Sequence, residues 1–458
     1  MQSESLHQIT KGDSASHFHK IRLGDALSFV VDNRGKTPPL DDKGTHDLLE
    51  INAIVGQKKF PNFELVSKRV NSGVYESWFR KGHPKVGDVL FSTVGSIAEV
   101  AYVAEERGCI AQNLVALRPK ADVLDGEFLY YTLSSFVVKQ RIISLDISSV
   151  QPSIKLPHLM DFEIELPPIS SQVKIASFLG KLDDKIALNR QINQTLEAMA
   201  QAIFKSWFVD FDPVKAKIAA IEAGQDPLRA AMSAISGKND VELDAMPSLQ
   251  YDELAATAAL FPEELVESEL GDVPKGWEIS KIEKILERLS SKTRYTKDQV
   301  LEIGVTPVFE QGASIVMGYH NGVAVYHASL EDPIFIFGDH TCITRISYQP
   351  FDISQNVIPL KGKNYPTSWV YYSIREKQKF QEYRRHWMEL VSKDVVVATT
   401  DICFEFSRKI VSLHVLLEAN ERQIQSLQEL RDTLLPKLLS GELSVSSPSG
   451  LTESMAGI

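Results

Sequence analysis

Two stretches of this 458-residue chain decide its fold: PPISSQVKIASFLGKLDDKIALNRQINQTLEAMAQAIFKSWF, residues 167–208, and FSRKIVSLHVLLEANERQIQSLQELRDTLLPKLLSGEL, residues 406–443. When the second stretch is shifted by 231 residues onto the first, few residues are identical but the apolar positions coincide. A shared apolar register is what a shared fold requires, because the backbone period determines which positions are buried. The two stretches therefore predict one structural element that is used twice.

Both stretches have the period of an α-helix, because their apolar residues recur at steps of three and four. The apolar stripe is narrow and is flanked by Gln, Glu, Arg and Lys, which favours packing of one helix on another over burial in a globular core. We therefore predict two long helices that pack through this stripe. Its members are Leu182, Ile186, Asn189, Ile192, Leu196, Met199, Ile203, Phe204, Leu413, Leu417, Asn420, Ile424, Leu427, Leu430, Leu434 and Leu435.

An asparagine interrupts the stripe at the same place in each stretch, Asn189 in the first and Asn420 in the second. A polar residue in a helix seam costs stability but can fix the register, because its amide needs a matching partner. The alternative is a solvated asparagine at the edge of the seam. Near the end of the second stretch, Pro436 predicts a kink or an end of the helix, and Gly441 predicts its C-terminal stop.

The blocks that precede the two helices also resemble each other. One contains GDVLFSTVGSIAEVAYVAEERGCIAQNLVALRP, residues 87–119, and the other contains EDPIFIFGDHTCITRISYQPFDISQNVIPLKG, residues 331–362. In each block two β-rich runs flank a turn that contains glycine, and a Gln-Asn pair, residues 112–113 or 355–356, opens a further apolar run. Alternating Val, Ile, Phe and Tyr residues predict strands in both blocks.

A tyrosine-containing run follows each block and predicts a helix: EFLYYTLSS at residues 127–135 and SWVYYSIRE at residues 368–376. The chain is therefore a tandem of α/β block, long helix, α/β block and long helix. The segment at residues 216–272 lies between the two halves, and its Ala-rich pieces predict short helices on a surface excursion.

The net charge of -11 argues at first sight against a nucleic-acid partner. Most of this charge lies in residues 216–272, which carry 3 Lys+Arg against 12 Asp+Glu. The two blocks are nearly neutral, with 18 Lys+Arg against 19 Asp+Glu in residues 19–167 and 16 against 16 in residues 273–407. Because phosphate binding depends on the local field, a neutral block can still have a basic face. The net charge therefore does not exclude DNA.

Composition excludes several classes of protein. Cys109, Cys342 and Cys403 are odd in number and form no CxxC pair, which argues against a disulfide scaffold or a zinc finger. The N-terminal residues lack the apolar segment of a signal peptide, and no run of about 18 apolar residues predicts a membrane-spanning helix. We therefore predict a cytoplasmic protein without a membrane partner.

The residues that catalysis needs are missing from the sequence. We find no Asn-Pro-Pro-aromatic or Asp-Pro-Pro-aromatic motif for methyl transfer to an amino group, and the 11 histidines form no tight ligand set. Asp183, Asp184 and Lys185 resemble a nuclease cluster, but we expect them on the exposed face of the first long helix. We therefore predict that this chain alone is not an enzyme and binds no metal.

Basic residues interleaved with aromatic residues occur in both blocks, a pattern that favours contact with nucleic acid. Lysine and arginine can neutralise phosphates, although charge runs are more often ordinary hydrated surfaces. The candidate DNA-binding residues are Lys36, Lys58, Lys59, Lys68, Arg69, Arg80, Lys81, Arg345, Lys361, Lys363, Lys377, Lys379, Arg384 and Arg385.

Three segments make the chain resemble a known family over nearly its full length. They are IALNRQINQTLEAMAQAIFKSWFVDFDPVKAK at residues 186–217, LFPEELVESELGDVPKGWEI at residues 260–279 and LQELRDTLLPKLLSGEL at residues 427–443. In combination they resemble the specificity subunit of type I restriction–modification enzymes. The chain departs from the family where Glu-Gln is common, because it has Ser171 and Gln172 there, and it lacks a second Pro-Pro before the last helix.

The resemblance implies an α+β fold in which a pair of long antiparallel helices separates two α/β target recognition domains, with a pseudo-twofold internal repeat. Each domain would contact one half of a split DNA sequence, and the helices would act as a ruler between them. The implied organisation is an N-terminal leader at 1–18, the first recognition domain at 19–167, the central helix at 168–215, an acidic insert at 216–272, the second recognition domain at 273–407, the C-terminal helix at 408–443 and a flexible tail at 444–458.

The resemblance also implies partners. Two methyltransferase subunits would dock along the helix stripes given above, and an endonuclease that translocates DNA would join the assembly. S-adenosylmethionine, ATP and magnesium would be bound by those partners, and no cofactor by this chain. Two alternatives remain at this point: a standalone DNA methyltransferase or nuclease, and a coiled-coil scaffold that does not bind DNA.

Overall fold

The chain forms two compact units. The computed structural model describes residues 9–11, 18–56, 59–146, 151–290, 293–301, 304–312, 315–382 and 384–445. The first unit combines residues up to Asn189 with residues from Gln423 onward, and the second unit comprises the residues from Arg190 to Arg422. The end of the chain therefore completes the first unit. Within the described ranges, no helix has the length and apolar character needed to cross a membrane.

The described residues of the N-terminal part of the chain form ten short strands, five short α-helices and one long α-helix. The strands are β1 (Ile9–Lys11), β2 (His19–Arg22), β3 (Leu27–Val31), β4 (His46–Leu49), β5 (Arg69–Val70), β6 (Val89–Ser92), β7 (Val100–Tyr102), β8 (Cys109–Ile110), β9 (Leu114–Pro119) and β10 (Glu163–Leu166). The helices are α1 (Leu23–Ala26), α2 (Ser72–Ser77), α3 (Gly126–Ser134), α4 (Phe136–Ile143), α5 (Leu156–Met160) and the long α6 (Ile169–Phe208).

The remainder of the chain begins with the acidic insert. The insert and the residues that flank it form α7 (Asp212–Glu222), α8 (Pro227–Ser236), α9 (Asp240–Asp244), α10 (Ser248–Ala259), β11 (Leu265–Ser268) and β12 (Gly271–Pro274). The second block follows with β13 (Glu278–Lys281), α11 (Ile282–Ile285), β14 (Leu286–Arg288), β15 (Thr306–Phe309), β16 (Val316–His320), β17 (Ile334–Gly338), β18 (Thr344–Ser347), β19 (Asp352–Ile353), β20 (Val357–Gly362), α12 (Thr367–Ile374), α13 (Trp387–Val391) and β21 (Asp394–Val397). The chain then forms the long α14 (Thr400–Leu439) and β22 (Leu443–Val445).

The two blocks have the same sheet topology. The first has a four-stranded sheet of order β3-β9-β6-β7 and a three-stranded sheet of order β5-β4-β8, and the second has β14-β20-β17-β18 and β16-β15-β19. In both three-stranded sheets the central strand pairs parallel to one neighbour, β4 with β8 and β15 with β19. An antiparallel ribbon, β2 with β10 or β13 with β21, completes each block. The predicted internal repeat is confirmed.

The long helices repeat with the same shift as the sequence. Both α6 and α14 are 40 residues long, which corresponds to about 60 Å, and their first residues are 231 positions apart. The strand that precedes each helix keeps this shift, because β10 begins at Glu163 and β21 at Asp394. The α+β class with two long helices is the predicted one, and both tyrosine runs form the predicted helices, α3 and α12.

The start of the second long helix differs from the prediction. The second helix begins at Thr400 and not at residue 408. The strand β21 ends at Val397, and the helix follows it after two residues although no Pro-Pro pair separates them. The first ends at Phe208, since Phe211 adopts a left-handed φ of 57° that interrupts the helix before α7. Pro436 lies inside α14, whose last residue is Leu439, and Gly441 follows the helix end with a φ of 76°.

Within each unit, a stretch of α6 packs antiparallel against a stretch of α14. In the first unit Asn189 Nδ2 donates to Gln423 Oε1 at 2.7 Å, and Arg431 Nη1 donates to Asp183 Oδ1 at 2.8 Å. Residue numbers therefore rise along one helix as they fall along the other. Asn189 is only 1% exposed, so it is a paired amide inside the seam and not a solvated residue at its edge.

The second unit holds its helix stretches together with amides of its own. Asn420 Nδ2 donates to Asn193 Oδ1 at 2.9 Å, and Asn193 Nδ2 donates to the carbonyl oxygen of Leu417 at 3.3 Å. Asn420 is half-buried. An amide in such a seam loses its partner when the helices slip, so these hydrogen bonds favour one register.

The acidic insert is helical, as its Ala-rich pieces predicted, and it has a small core of its own. Met232, Leu243 and Leu254 are buried together there. The ammonium of Lys217 is buried and donates to the carbonyl oxygen of Phe261 at 2.7 Å. These contacts make the insert a folded subdomain of the second unit.

One tyrosine of each block hydrogen-bonds a long helix at an equivalent position. Tyr131 Oη donates to Asp183 Oδ2 at 2.7 Å in the first unit. In the second unit Tyr372 Oη and His414 Nε2 lie 3.0 Å apart, and Tyr348 Oη bonds the other ring nitrogen. Because residues 183 and 414 are 231 positions apart, the repeat places a carboxylate in one unit where the other has an imidazole.

Burial and the charge of Arg375 lower the pKa of His414 to about 4. An unfolded chain takes up this proton near pH 6.5, whereas the folded chain does so only near pH 4, so stability falls as the pH falls between these values. We expect the wild type to lose about 2 kcal/mol of unfolding free energy from this residue between pH 7 and pH 5.

His414→Gln keeps a donor and an acceptor but removes the titration. Urea unfolding of both proteins at pH 7 and pH 5 measures the effect. The difference between the two pH values should be smaller in the variant by about 2 kcal/mol. Equal differences in the two proteins would contradict the assignment.

Candidate nucleic-acid interface

The basic residues predicted to contact DNA divide into paired and unpaired groups. Lys58 lies outside the described residues, so 13 of the 14 candidates have a position. Seven form ion pairs within the chain: Lys59 with Glu127, Lys68 with Glu50, Arg69 with Asp47, Arg345 with Glu421, Lys361 with Asp332, Arg384 with Glu382 and Glu389, and Arg385 with Asp339. The other six are exposed and have no ion pair within the described part of the chain: Lys36, Arg80, Lys81, Lys363, Lys377 and Lys379.

Lys59 is a structural residue and not part of a DNA-binding surface. Its side chain is only 7% exposed, its ammonium pairs with Glu127, and it lies over the rings of Phe60 and Tyr131. A phosphate could reach this ammonium only after the pair had broken. The structure therefore corrects the prediction for Lys59, whose partner is distant in sequence.

A buried asparagine brings two loops of the first block together. Asn33 Nδ2 donates to the carbonyl oxygen of Gly82 at 2.9 Å, and its Oδ1 accepts from the backbone N–H of Lys81 at 3.0 Å. The loop that carries Lys36 therefore lies beside the loop that carries Arg80 and Lys81. The sequence alone did not single out Asn33, because nothing in its local pattern indicates a partner about fifty residues away.

The same edge of the first block holds an ordered arginine. Arg34 donates to both carboxylate oxygens of Asp32, at 2.7 and 2.8 Å, and to Thr93 Oγ1 at 3.1 Å. The hydrogen bond from Arg34 lowers the pKa of Asp32. Thr93 in turn donates its backbone N–H to the carbonyl oxygen of Asn113 at 2.8 Å. These bonds fix the loops after β3 and β6 against the turn before β9.

The second block has an equivalent arrangement after β17. The backbone N–H of Asp339 donates to the carbonyl oxygen of Asn356 at 2.9 Å. Its carboxylate accepts from the backbone N–H groups of His386 and Trp387, at 3.1 and 2.9 Å. Arg385 lies 3.9 Å from the same carboxylate and is 79% exposed. An acidic side chain thus anchors a basic loop beside the turn before β20.

This anchoring determines the conformation of the basic run in the second block. Lys377, Lys379, Arg384 and Arg385 lie beyond the tyrosine helix, because α12 ends at Ile374. The residues beyond it form a loop because Asp339 binds its far end through backbone N–H groups. The helical period could not predict this, since the anchor comes from another part of the sheet.

Most of the predicted helix stripe is at least partly buried. Leu182, Ile186 and Leu196 are buried in the long-helix seams of their own units. The remaining members that are buried or partly buried are Ile203, Phe204, Leu413, Leu417, Ile424, Leu427, Leu430, Leu434 and Leu435. The sequence analysis missed Ala200, Trp207 and Phe208, all of which are buried.

Two members of the stripe lie outside the helix seam. Ile192 is 37% exposed and Met199 is 47% exposed, whereas Ala200 is fully buried. The buried positions therefore run from Leu196 to Ala200, a step of four, and Met199 faces away from the seam. The sequence analysis chose Met199 over Ala200 because methionine has the larger apolar side chain.

Asp183, which resembled part of a nuclease site, is not solvated. Its carboxylate is bonded by Tyr131 and Arg431 and lies in the interior of the first unit. No group of three or more His, Cys, Asp or Glu residues in the described ranges could hold a metal ion. Cys109 and Cys403 are buried thiols, and burial raises the pKa of Cys109 to about 12.

Three comparisons with known proteins agree with one another. Residues 29–198 match the family model described as "Type I restriction modification DNA specificity domain". The type I restriction enzyme HindI specificity subunit of Haemophilus influenzae is 29% identical over 401 residues, covering 78% of this chain and 87% of that protein. The MjaIX specificity subunit of Methanocaldococcus jannaschii is 24% identical over 384 residues, covering 78% of each chain.

A solved structure shares the fold. The crystal structure of the type I restriction–modification S subunit from M. genitalium superposes with a TM-score of 0.50 at 16% identity. The superposition covers 96% of this chain and 99% of that one.

Because Lys59 is buried, its replacement should affect the free energy of unfolding more than replacement of an exposed lysine. We expect Lys59→Ala to lower the free energy of unfolding by about 2 kcal/mol, because it leaves the Glu127 carboxylate without its partner. Lys36→Ala is the matched control and should stay within about 0.5 kcal/mol of the wild type. Urea unfolding measures both, and equal stability of the two variants would contradict the assignment.

Proposed function

Because this chain belongs to the family of type I restriction–modification specificity subunits, we propose that it reads a split DNA target, with one recognition block for each half-site. The family is the non-catalytic recognition subunit of these complexes, so neither a standalone enzyme nor a scaffold describes it. The observation that carries the proposal is the duplication of the whole block, with the same sheet order and the same Gln-Asn turn. Two copies of one recognition block support the recognition of two DNA segments.

The exposed cations supply the contacts to the DNA backbone in this proposal. Lys36, Arg80 and Lys81 lie on adjoining loops of the first block, and none of them forms an ion pair in the described part of the chain. Lys363, Lys377 and Lys379 are exposed cations of the second block that form no ion pair in the described part of the chain. Phosphate contacts of this kind position a protein on DNA, and side chains that reach base edges supply the sequence preference.

The exposed apolar residues of the long helices supply a docking surface for the methyltransferase subunits. Ile192 and Met199 on α6 and Val415 and Leu416 on α14 are exposed in the second unit. On α6, helical spacing puts Ile192 and Met199 on the side of the helix away from Glu197, which bonds Tyr372 of the recognition block. An apolar patch on a helix pair is typical of a protein interface.

The other parts of the assembly belong to this proposal as well. Two methyltransferase subunits and an endonuclease that translocates DNA would complete the complex. S-adenosylmethionine, magnesium and ATP would be bound by those subunits. This chain would contribute DNA contacts and docking surfaces.

Exchange of one recognition block tests the division of labour. Residues 19–167 are replaced by the same block of another specificity subunit that keeps a tyrosine at the place of Tyr131, so that the hydrogen bond to Asp183 is retained. The chimera is purified with the methyltransferase subunit, and the methylated positions are mapped by sequencing. We expect one half-site to change and the other to remain, whereas a change in both halves would contradict the proposal.

A charge on the apolar patch tests the docking surface. Met199→Asp should weaken binding of the methyltransferase subunit about tenfold or more, because a carboxylate would have to be buried in the interface. Gln194→Asp places the same charge at an exposed polar position of α6 and is the matched control. Both variants should unfold like the wild type, and equal binding by both would refute this surface.

A further inference from the structure

We propose that Gln112 and Gln355 are base-reading residues, each hydrogen-bonding the major-groove edge of an adenine in its own half-site. This inference rests on the proposed DNA-recognition function and gives it a chemical basis. The two glutamines open the Gln-Asn turns that precede β9 and β20, the equivalent strands of the two four-stranded sheets.

The turns are held in the same way in both blocks. The carbonyl oxygen of Asn113 accepts the backbone N–H of Thr93, just after β6, and that of Asn356 accepts the backbone N–H of Asp339, just after β17. Both glutamine side chains are exposed. The backbone is thus fixed by the sheet while the amide next to it faces solvent, which is the arrangement that a reading residue needs.

Gln112, in the first turn, has an unusual backbone conformation. Gln112 has a φ of 55°, a left-handed conformation that glycine adopts with less strain. Residues held in strained backbone conformations cluster at binding sites, so the strain at Gln112 supports a binding role for its exposed amide. In the second turn the left-handed residue is Asn356, with a φ of 61°.

The amide of Gln112 is oriented for recognition. Its Nε2 donates to Thr37 Oγ1, which uses one amide hydrogen and leaves the other hydrogen and Oε1 available. Those two atoms match adenine, whose N7 accepts a hydrogen bond and whose N6 amino group donates one. A cavity of about 140 Å³ beside this amide is lined by Glu50, Asn52 and Asn113, among others.

Cations lie beside both turns. Lys36 is exposed and is the neighbour of Thr37 in sequence, and Thr37 accepts the hydrogen bond from the amide of Gln112. In the second block the exposed Arg385 lies 3.9 Å from Asp339, the residue that bonds the turn of Gln355. Amides that read bases beside cations that bind phosphates are the usual composition of a DNA-contacting edge.

The test uses the full chain in complex with its methyltransferase subunit, with methylated positions mapped by sequencing. Gln112→Gly removes the amide and suits the left-handed backbone, so the turn is retained. We expect the preference for one A·T pair in one half-site to fall about tenfold or more, with the other half-site unchanged. Gln355→Ala should have the same effect in the other half-site.

Two further variants make the result specific. Gln225→Ala removes an exposed amide from the acidic insert and should leave the recognised sequence unchanged. Gln112→Glu should shift the preference at the same position from adenine toward cytosine, because a carboxylate accepts from the cytosine amino group.

The outcomes separate this inference from the function on which it rests. An unchanged sequence in Gln112→Gly and Gln355→Ala, or a uniform loss of affinity without a change of sequence, would overturn the reading role. A wild-type complex that methylates DNA without sequence preference would instead overturn the proposed function.

Discussion

The antiparallel packing of α6 against α14 is the interaction on which the rest of this structure depends. Leu434, Leu435 and Leu438, near the end of α14, are buried in the core of the first unit, although most of that core comes from the first 189 residues. The first recognition block therefore has a complete core only when the end of the chain has folded against it. Paired amides along the seam favour one register, because a slip would leave them buried without partners.

The long helices also provide the residues that the recognition blocks contact. Each block places one tyrosine hydroxyl against the same position of the helix repeat, but Asp183 occupies it in the first unit and His414 in the second. The duplication has thus conserved the contact geometry while the chemistry of the contact has diverged. The carboxylate is neutralised by Arg431, and the imidazole is neutral because burial lowers its pKa.

The sequence predicted those features that follow from periodicity and repetition. The two long helices, the repeated strands and the helical insert could be predicted because each depends on the order of apolar residues within one segment. The burial of Lys59 and the loop held by Asp339 could not, because their partners lie on segments that are distant in sequence. Ala200 was missed because a small side chain contributes little to an apolar pattern, although it occupies a fully buried place. The Gln-Asn turns were visible as a repeat, but their exposure and backbone conformation required the structure.

The central claim is that two copies of one fold read two separate pieces of DNA, and the methylation pattern of the wild-type complex tests it most directly. The full chain is expressed with its methyltransferase subunit, and every methylated position in the host DNA is mapped by sequencing. The account predicts one motif made of two defined segments separated by base pairs of any sequence. A single continuous motif, or methylation without a motif, would contradict it.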